Sequence, residues 1–171
     1  RVSRWLLLCC FRGRGQRCIR DSRVASANPL ASPMDLRYDG NPMTLEREAL
    51  STAISHPSSR LLVMVHGLCM NDRQWRRNGH NHGKALAHEL GYTPLYLRYN
   101  SGLPVSENGR DLALWLEALI GEWPVPVEEL VIVGHSMGGL VARSACLRAQ
   151  QTGYHWPARL SKILFLGTPH Q

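Results

Sequence analysis

LVIVGHSMGGLVAR, residues 130–143, changes character twice within a short span. The β-branched run Leu130-Val131-Ile132-Val133 suits a strand buried on both faces. It breaks at Gly134-His135-Ser136-Met137-Gly138, and Gly139-Leu140-Val141-Ala142-Arg143 then follows a helical pattern. A G-x-S-x-G turn between strand and helix holds its serine in a strained backbone conformation and admits only small flanking residues. Gly134 and Gly138 meet that need, while Gly139 lets the helix start pack close to neighbouring strands. The bare pattern is weak, because glycine and serine are common. Its place between an aliphatic strand and an apolar helix makes it informative. The bland alternative is a glycine-rich turn around an unreactive Ser136.

Outward from this stretch the alternation repeats. Leu61-Leu62-Val63-Met64-Val65 is a second buried run, ending in His66-Gly67-Leu68. A polar turn from Asn71 or Asp72 passes Trp75 and Arg77, and a helical pattern over 84–90 stops at Gly91. Tyr92 to Leu97 predicts a third strand, leading into Asn100-Ser101-Gly102. Ser106 can cap a helix with apolar positions Leu112, Trp115, Leu116, Leu119 and Ile120, closed by Trp123-Pro124. The helix after Ser136 is expected to run to about Gln151. A linker with Gly153 and Pro157 leads to a strand at Ile163–Leu166, followed by Gly167-Thr168-Pro169-His170. Upstream, Met34–Tyr38 alternates like an edge strand and precedes the turn Asp39-Gly40-Asn41-Pro42. Residues 44–55 read as a short helix, capped by Thr44 or Ser51, or as irregular chain. This order predicts a mostly parallel α/β sheet with right-handed crossovers.

The composition is ordinary for a globular chain of 171 residues, with 44% hydrophobic and 19% charged residues. The net charge of +7 suggests a polyanion partner until its distribution is examined. Residues 1–23 hold seven arginines against Asp21, hence +6, leaving +1 on the other 148 residues. Nucleic acid is therefore not an expected partner of the folded part; the arm can touch a polyanion or, weakly, an anionic membrane surface, or simply be solvated. Residues 1–33 read as this basic arm and 34–171 as the folded domain. Trp5–Phe11 is apolar but far short of the roughly 20 residues that span a bilayer. With Ala25-Ser26-Ala27 it resembles a secretory signal, but Arg12–Arg23 is too long and charged for a cleavage region, which favours a cytoplasmic reading. The five cysteines show no metal spacing, and Cys146 falls among apolar helical positions as a small core residue. His80, His82 and His88 mimic a cluster without an arranged carboxylate or cysteine; no metal and no cofactor are expected.

Acyl transfer by a serine needs donors for the oxyanion, a base and an orienting acid. The N–H of Met137, at a helix N-terminus directly after Ser136, is one donor. The second is expected from the loop after Val65, where Gly67 permits close approach and Leu68 supplies its N–H; His66, Gly67, Gly134, His135 and Gly138 support the arrangement. Alternatively, His66-Gly67 is only a strand-ending turn.

LVMVHGL, LVIVGHSMGGLVAR and ILFLGTPHQ, in that order, resemble the lipase/esterase branch of the α/β-hydrolases. The likeness is to bacterial triacylglycerol lipases and GPI inositol-deacylase-like proteins and covers residues 60–171. It implies an α/β-hydrolase fold, a serine hydrolase acting on carboxylic esters, lipid esters included, with Ser136 as nucleophile and the His66-Gly67-Leu68 loop as oxyanion hole. It also implies that His170 is not the catalytic histidine.

The fold takes its triad in the order Ser, Asp/Glu, His. No Asp or Glu follows Ser136, and the only later histidines are His155 and His170. Acid and base are thus expected beyond the chain, together with strands after about residue 167, and the 171 residues alone are expected to be inactive. Asp72, Glu107, Asp111 or His66 are substitutes only by contrivance. The competing readings are a non-catalytic hydrolase-like module and an acyltransferase, which uses the same nucleophile.

Overall fold

The computed structural model describes residues 33–170. The readings of the basic arm, the signal-like segment and the three cysteines within it lie outside the described residues. Eight strands form one main sheet and one small ribbon. The main sheet has six strands in the order β2 (Asn41–Pro42), β1 (Asp35–Tyr38), β6 (Thr93–Arg98), β3 (Arg60–Val65), β7 (Glu129–His135), β8 (Leu160–Leu166). From β6 to β8 the strands are parallel, and β1 joins β6 antiparallel. The expected mostly parallel sheet flanked by helices is the architecture observed.

Alternating residues divide the sheet into two apolar faces. Leu61, Val63 and Val65 of β3, Leu95 and Leu97 of β6, and Leu130 and Ile132 of β7 share one cluster. That cluster takes in α1 (Arg47–Ala53), α3 (Val105–Glu122) and α4 (Met137–Thr152) through Leu50, Leu116 and Val141. The intervening residues Leu62, Met64, Tyr96, Val131 and Val133 form the second face with Trp75. Helix α2 (His82–Leu90) lies on this side, its Gly83 so near Tyr96 that a Cβ would fall 2.9 Å from the phenol Cζ.

Several details depart from the expectations. Strand β7 does not break at Gly134 but continues through His135, because Gly134 pairs with Val65 on one side and Phe165 on the other. The strand β1 is not the edge: β2 folds back on it through Asp39-Gly40. Helix α1 starts after Glu46 without a side-chain cap, and α3 starts after Pro104, so neither Thr44, Ser51 nor Ser106 caps. The polar turn after Asn71 is a 3₁₀ turn, Asp72–Trp75, followed by a two-stranded ribbon of β4 (Arg76–Arg77) and β5 (His80–Asn81). Asn78-Gly79 at its tip, with φ of 50° and 79°, is a short-range hairpin signal. Gly91 does end α2, in the left-handed conformation that glycine adopts without strain.

The topology fixes where a site can form. From β3 the chain crosses by α2 on one face to β6; from β7 it crosses by α4 on the other face to β8. Adjacent strands whose connections leave in opposite directions open a crevice at their C-terminal ends, where ligands bind in open α/β sheets. Here those ends carry His66-Gly67-Leu68 and Ser136.

Candidate active site

Ser136 stands between β7 and α4 at φ 52° and ψ −123°, a conformation that costs an L-residue on the order of 1–3 kcal/mol. The surroundings hold it there. Its N–H donates to the Leu166 carbonyl at 2.8 Å, and its own carbonyl accepts from the Gly139 N–H at 3.2 Å. A Cβ on Gly134 would lie 2.6 Å from the Gly139 Cα, and one on Gly138 would press into the Val65 and His66 carbonyls. At Gly139 a Cβ would run into Thr168 and Phe165, so all three glycines permit close approach of backbone rather than unusual dihedrals.

Gly67 faces the same turn. A Cβ there would come within 3.0 Å of the Ser136 Cβ and 3.1 Å of the His135 carbonyl. The structure thus brings Gly67 and Ser136 into one crevice. His66 orients this loop. Its imidazole is buried, stacked on Tyr99 with ring centroids 4.2 Å apart. Nδ1 lies 2.9 Å from the Gly67 carbonyl, and Nε2 accepts from the Tyr99 N–H at 3.4 Å, an arrangement that requires the Nδ1–H tautomer. The Gly67 carbonyl also accepts from the Met70 N–H at 3.3 Å. In a trans peptide the N–H points away from the carbonyl, so the Leu68 N–H is directed opposite to His66. Neither the Leu68 N–H nor that of Met137 donates a hydrogen bond among the described residues. The Leu68 side chain itself is exposed.

Burial pushes the His66 imidazole down to about 4, so it is neutral at pH 7 with both nitrogens engaged, which removes it as a substitute base. Several other histidines have contacts of their own. His135 approaches Trp75 edge-on at 6.4 Å. His155 hydrogen-bonds through Nδ1 to Glu117 at 2.8 Å, and Glu117 also accepts from the His155 and Trp156 amides. His170 contacts Arg143 at 3.1 Å and Phe165 edge-on. Among the acids, Asp72 is paired with Arg98 at 2.6 Å and Asp111 with Arg110 at 3.1 Å. Glu107 lies in the groove between α3 and α4. His80 and His82 touch edge-on at 4.8 Å, and no group of three metal-ligating side chains gathers among the described residues. Cys69 is disulfide-bonded, whereas Cys146 is a free, half-buried thiol packed against the core. No helix among the described residues is long and apolar enough to cross a membrane.

Two supporting residues were not singled out by pattern. Tyr99 also donates its hydroxyl to the His66 carbonyl at 2.7 Å, and Ser101 accepts from the Cys69 N–H at 3.0 Å. Both follow β6, whose register beside β3 sets Leu97 opposite Val65 and so carries Tyr99 to His66-Gly67.

Residues 56–171 match the family described as PGAP1-like alpha/beta domain. The chain belongs to this family. No curated protein matches it. Among solved structures, this PGAP1-like domain is similar to the Bacillus licheniformis lipase BlEst2. The propeptide form is 25% identical with a TM-score of 0.53, over 68% of this chain and 24% of that one. For the mature form the values are 22% and 0.56, over 81% of this chain and 49% of the lipase. The chain therefore spans less than half the length of either lipase structure. The shared fold is that of a lipase-like α/β-hydrolase, as the order of the three sequence motifs implies.

Proposed function

We propose that this PGAP1-like domain carries the nucleophile and oxyanion hole of a serine hydrolase acting on carboxylic esters. Ser136 Oγ attacks the ester carbonyl, and the Leu68 and Met137 N–H groups receive the oxyanion as the tetrahedral intermediate forms. Collapse of that intermediate expels the alcohol and leaves an acyl-serine, which water then hydrolyses; an alcohol acceptor in place of water would make the same centre an acyltransferase. The observation that carries the reading is the pairing of a positive-φ Ser136 with Gly67 packed against it, flanked by two amides free to donate.

The base and its carboxylate partner are assigned to residues outside those described, since His66, His155 and His170 have other partners. Lipid esters suit the reading because the neighbouring fold is a lipase. A fluorophosphonate probe tests it in the protein carrying the whole hydrolase domain. Peptide mapping is expected to find the adduct on Ser136, with labelling lost in Ser136→Ala. Folded protein that leaves Ser136 unlabelled would favour the non-catalytic module.

A further inference from the structure

The dipeptide Asn-Gly occurs twice in the chain, at 78–79 and at 108–109, and the fold treats the two in opposite ways. Asn78 and Gly79 form the tip of the β4–β5 ribbon, joining Arg77 to its partner His80. Both are exposed. A Cβ built on Gly79 would meet nothing within 4 Å, so nothing outside the turn crowds its backbone. The Gly79 N–H donates no hydrogen bond among the described residues. Asn108 and Gly109 instead lie inside α3, and both are buried. The Asn108 amide donates to the Asn100 and Leu103 carbonyls at 3.0 and 3.3 Å. Gly109 sits where its N–H enters the helical ladder, and α4 presses on it so closely that a Cβ would strike Ser144.

These surroundings bear on one reaction. A backbone nitrogen that has lost its proton can attack the side-chain amide carbon of the asparagine before it, and a following glycine has no side chain to obstruct the approach. At the ribbon tip the Gly79 nitrogen bonds to Cγ of Asn78, the Cγ–Nδ2 bond breaks, and ammonia departs with the proton that the nitrogen gave up. The product is a cyclic imide, which water then opens. Addition of water at Cγ gives aspartate. Addition at the backbone carbonyl gives isoaspartate, in which the main chain runs through Cβ and Cγ.

From the contrast between a bare tip and a packed helix, we propose that Asn78 is a site of spontaneous deamidation, whereas Asn108 is preserved by its surroundings. The two products differ in effect. Aspartate adds a carboxylate beside Arg76 and Arg77 and keeps the turn. Isoaspartate lengthens the backbone within a two-residue turn, so the pairing of Arg77 with His80 and of Arg76 with Asn81 is lost. A two-stranded ribbon has little stability of its own to oppose this. Asn81 also caps α2, its Oδ1 accepting from the Lys84 N–H at 3.0 Å and from the Tyr96 hydroxyl. Release of the ribbon therefore loosens the first turn of α2. The reaction makes no use of Ser136.

Peptide mapping by mass spectrometry tests the proposal on the full chain, held folded at mildly alkaline pH. The tip peptide is expected to gain the mass of an amide-to-acid exchange, about tenfold or more faster than the Asn108 peptide, because a helix interior opens rarely. In urea the contrast is expected to vanish, and this comparison needs no variant. The tip reaction should slow as the pH is lowered, since the nitrogen must lose its proton, and Asn78→Gln should abolish it. Hydrogen exchange at residues 82–85 is expected to be faster in the isoaspartate fraction than in the parent or in Asn78→Asp. An intact Asn78, an Asn108 that reacts as fast in the folded protein, a contrast that persists in urea, or a rate unchanged by pH overturns the assignment. Parent-like exchange in the isoaspartate fraction overturns its coupling to α2.

Discussion

Ser136 and His66 show how one residue's environment sets its use. At Ser136 the strand-to-helix turn imposes a φ of 52°, in the region that only glycine enters without strain. Ser136→Gly is therefore expected to raise stability by about 1 kcal/mol in denaturant titration while abolishing probe labelling. A stability loss instead would mean that the turn is unstrained. His66 is expected to impart a pH dependence of the opposite kind from a salt-bridged histidine. Its folded value, about 4, lies below the ordinary 6.5, so the unfolded chain takes up the proton first. Stability is then complete above about pH 6.5 and declines as the pH falls toward 4, by roughly 3 kcal/mol in all. Denaturation midpoints measured from pH 7.5 to 4 check this. His66→Gln should flatten that segment, and an unchanged slope would show that His66 protonates freely in the folded state.

At the scale of elements, the N-terminal ends of the strands are tied by a polar clamp, away from the crevice. Arg60 donates Nε to Glu129 at 2.7 Å and a terminal nitrogen to the Tyr92 hydroxyl at 2.7 Å, with its guanidinium 4.2 Å from the Tyr92 ring centre. Ser161 donates to the other Glu129 oxygen at 2.7 Å, so the clamp spans β3, β7 and β8. The Ser161 hydroxyl, and then Arg60, hold the Glu129 carboxyl down to about 2. Because the groups are partly solvated, Glu129→Gln is expected to cost under about 1 kcal/mol at neutral pH. As the folded value is depressed, that difference should fade as the pH drops from 4.5 toward 2, which parallel acid titrations of the two proteins would show. On the helical side, α3 and α4 meet where a Cβ on Gly109 would strike Ser144. Gly109→Ala should lower the denaturation midpoint, by roughly 1–3 kcal/mol of stability, unless Ser144 can turn away.

Over the whole molecule, the sheet is asymmetric in how its edges are protected. The β2 end is only two residues long, whereas β8 presents seven residues with Leu164, Phe165 and Leu166 all exposed and no strand outside it among the described residues. An apolar edge of this length pairs readily with another chain. The 171-residue protein is accordingly expected to associate with rising concentration in sedimentation velocity, and Leu164→Lys to reduce that association; a monomer at all concentrations would show the edge covered. Much of this architecture was legible locally. Buried strands announced themselves as aliphatic runs, Gly91 marked its helix end, and the glycine spacing around Ser136 described the turn, because strand pleat, helix stop and sharp turn each depend on neighbours in the chain. The helix starts at α1 and α3 were misread because a possible capping side chain does not compel a cap. Tyr99 under His66 could not be read at all: residues 33 apart meet there only because β6 lies beside β3 in parallel register. The amino-acid order thus settled the elements, the sharp turn at Ser136 and the likeness to lipase-type hydrolases. Which strands adjoin, and hence that Gly67 reaches Ser136 and that His66 is a buried, neutral prop of the loop, depended on long-range packing, since burial and close approach are properties of assembled surfaces and not of any short segment.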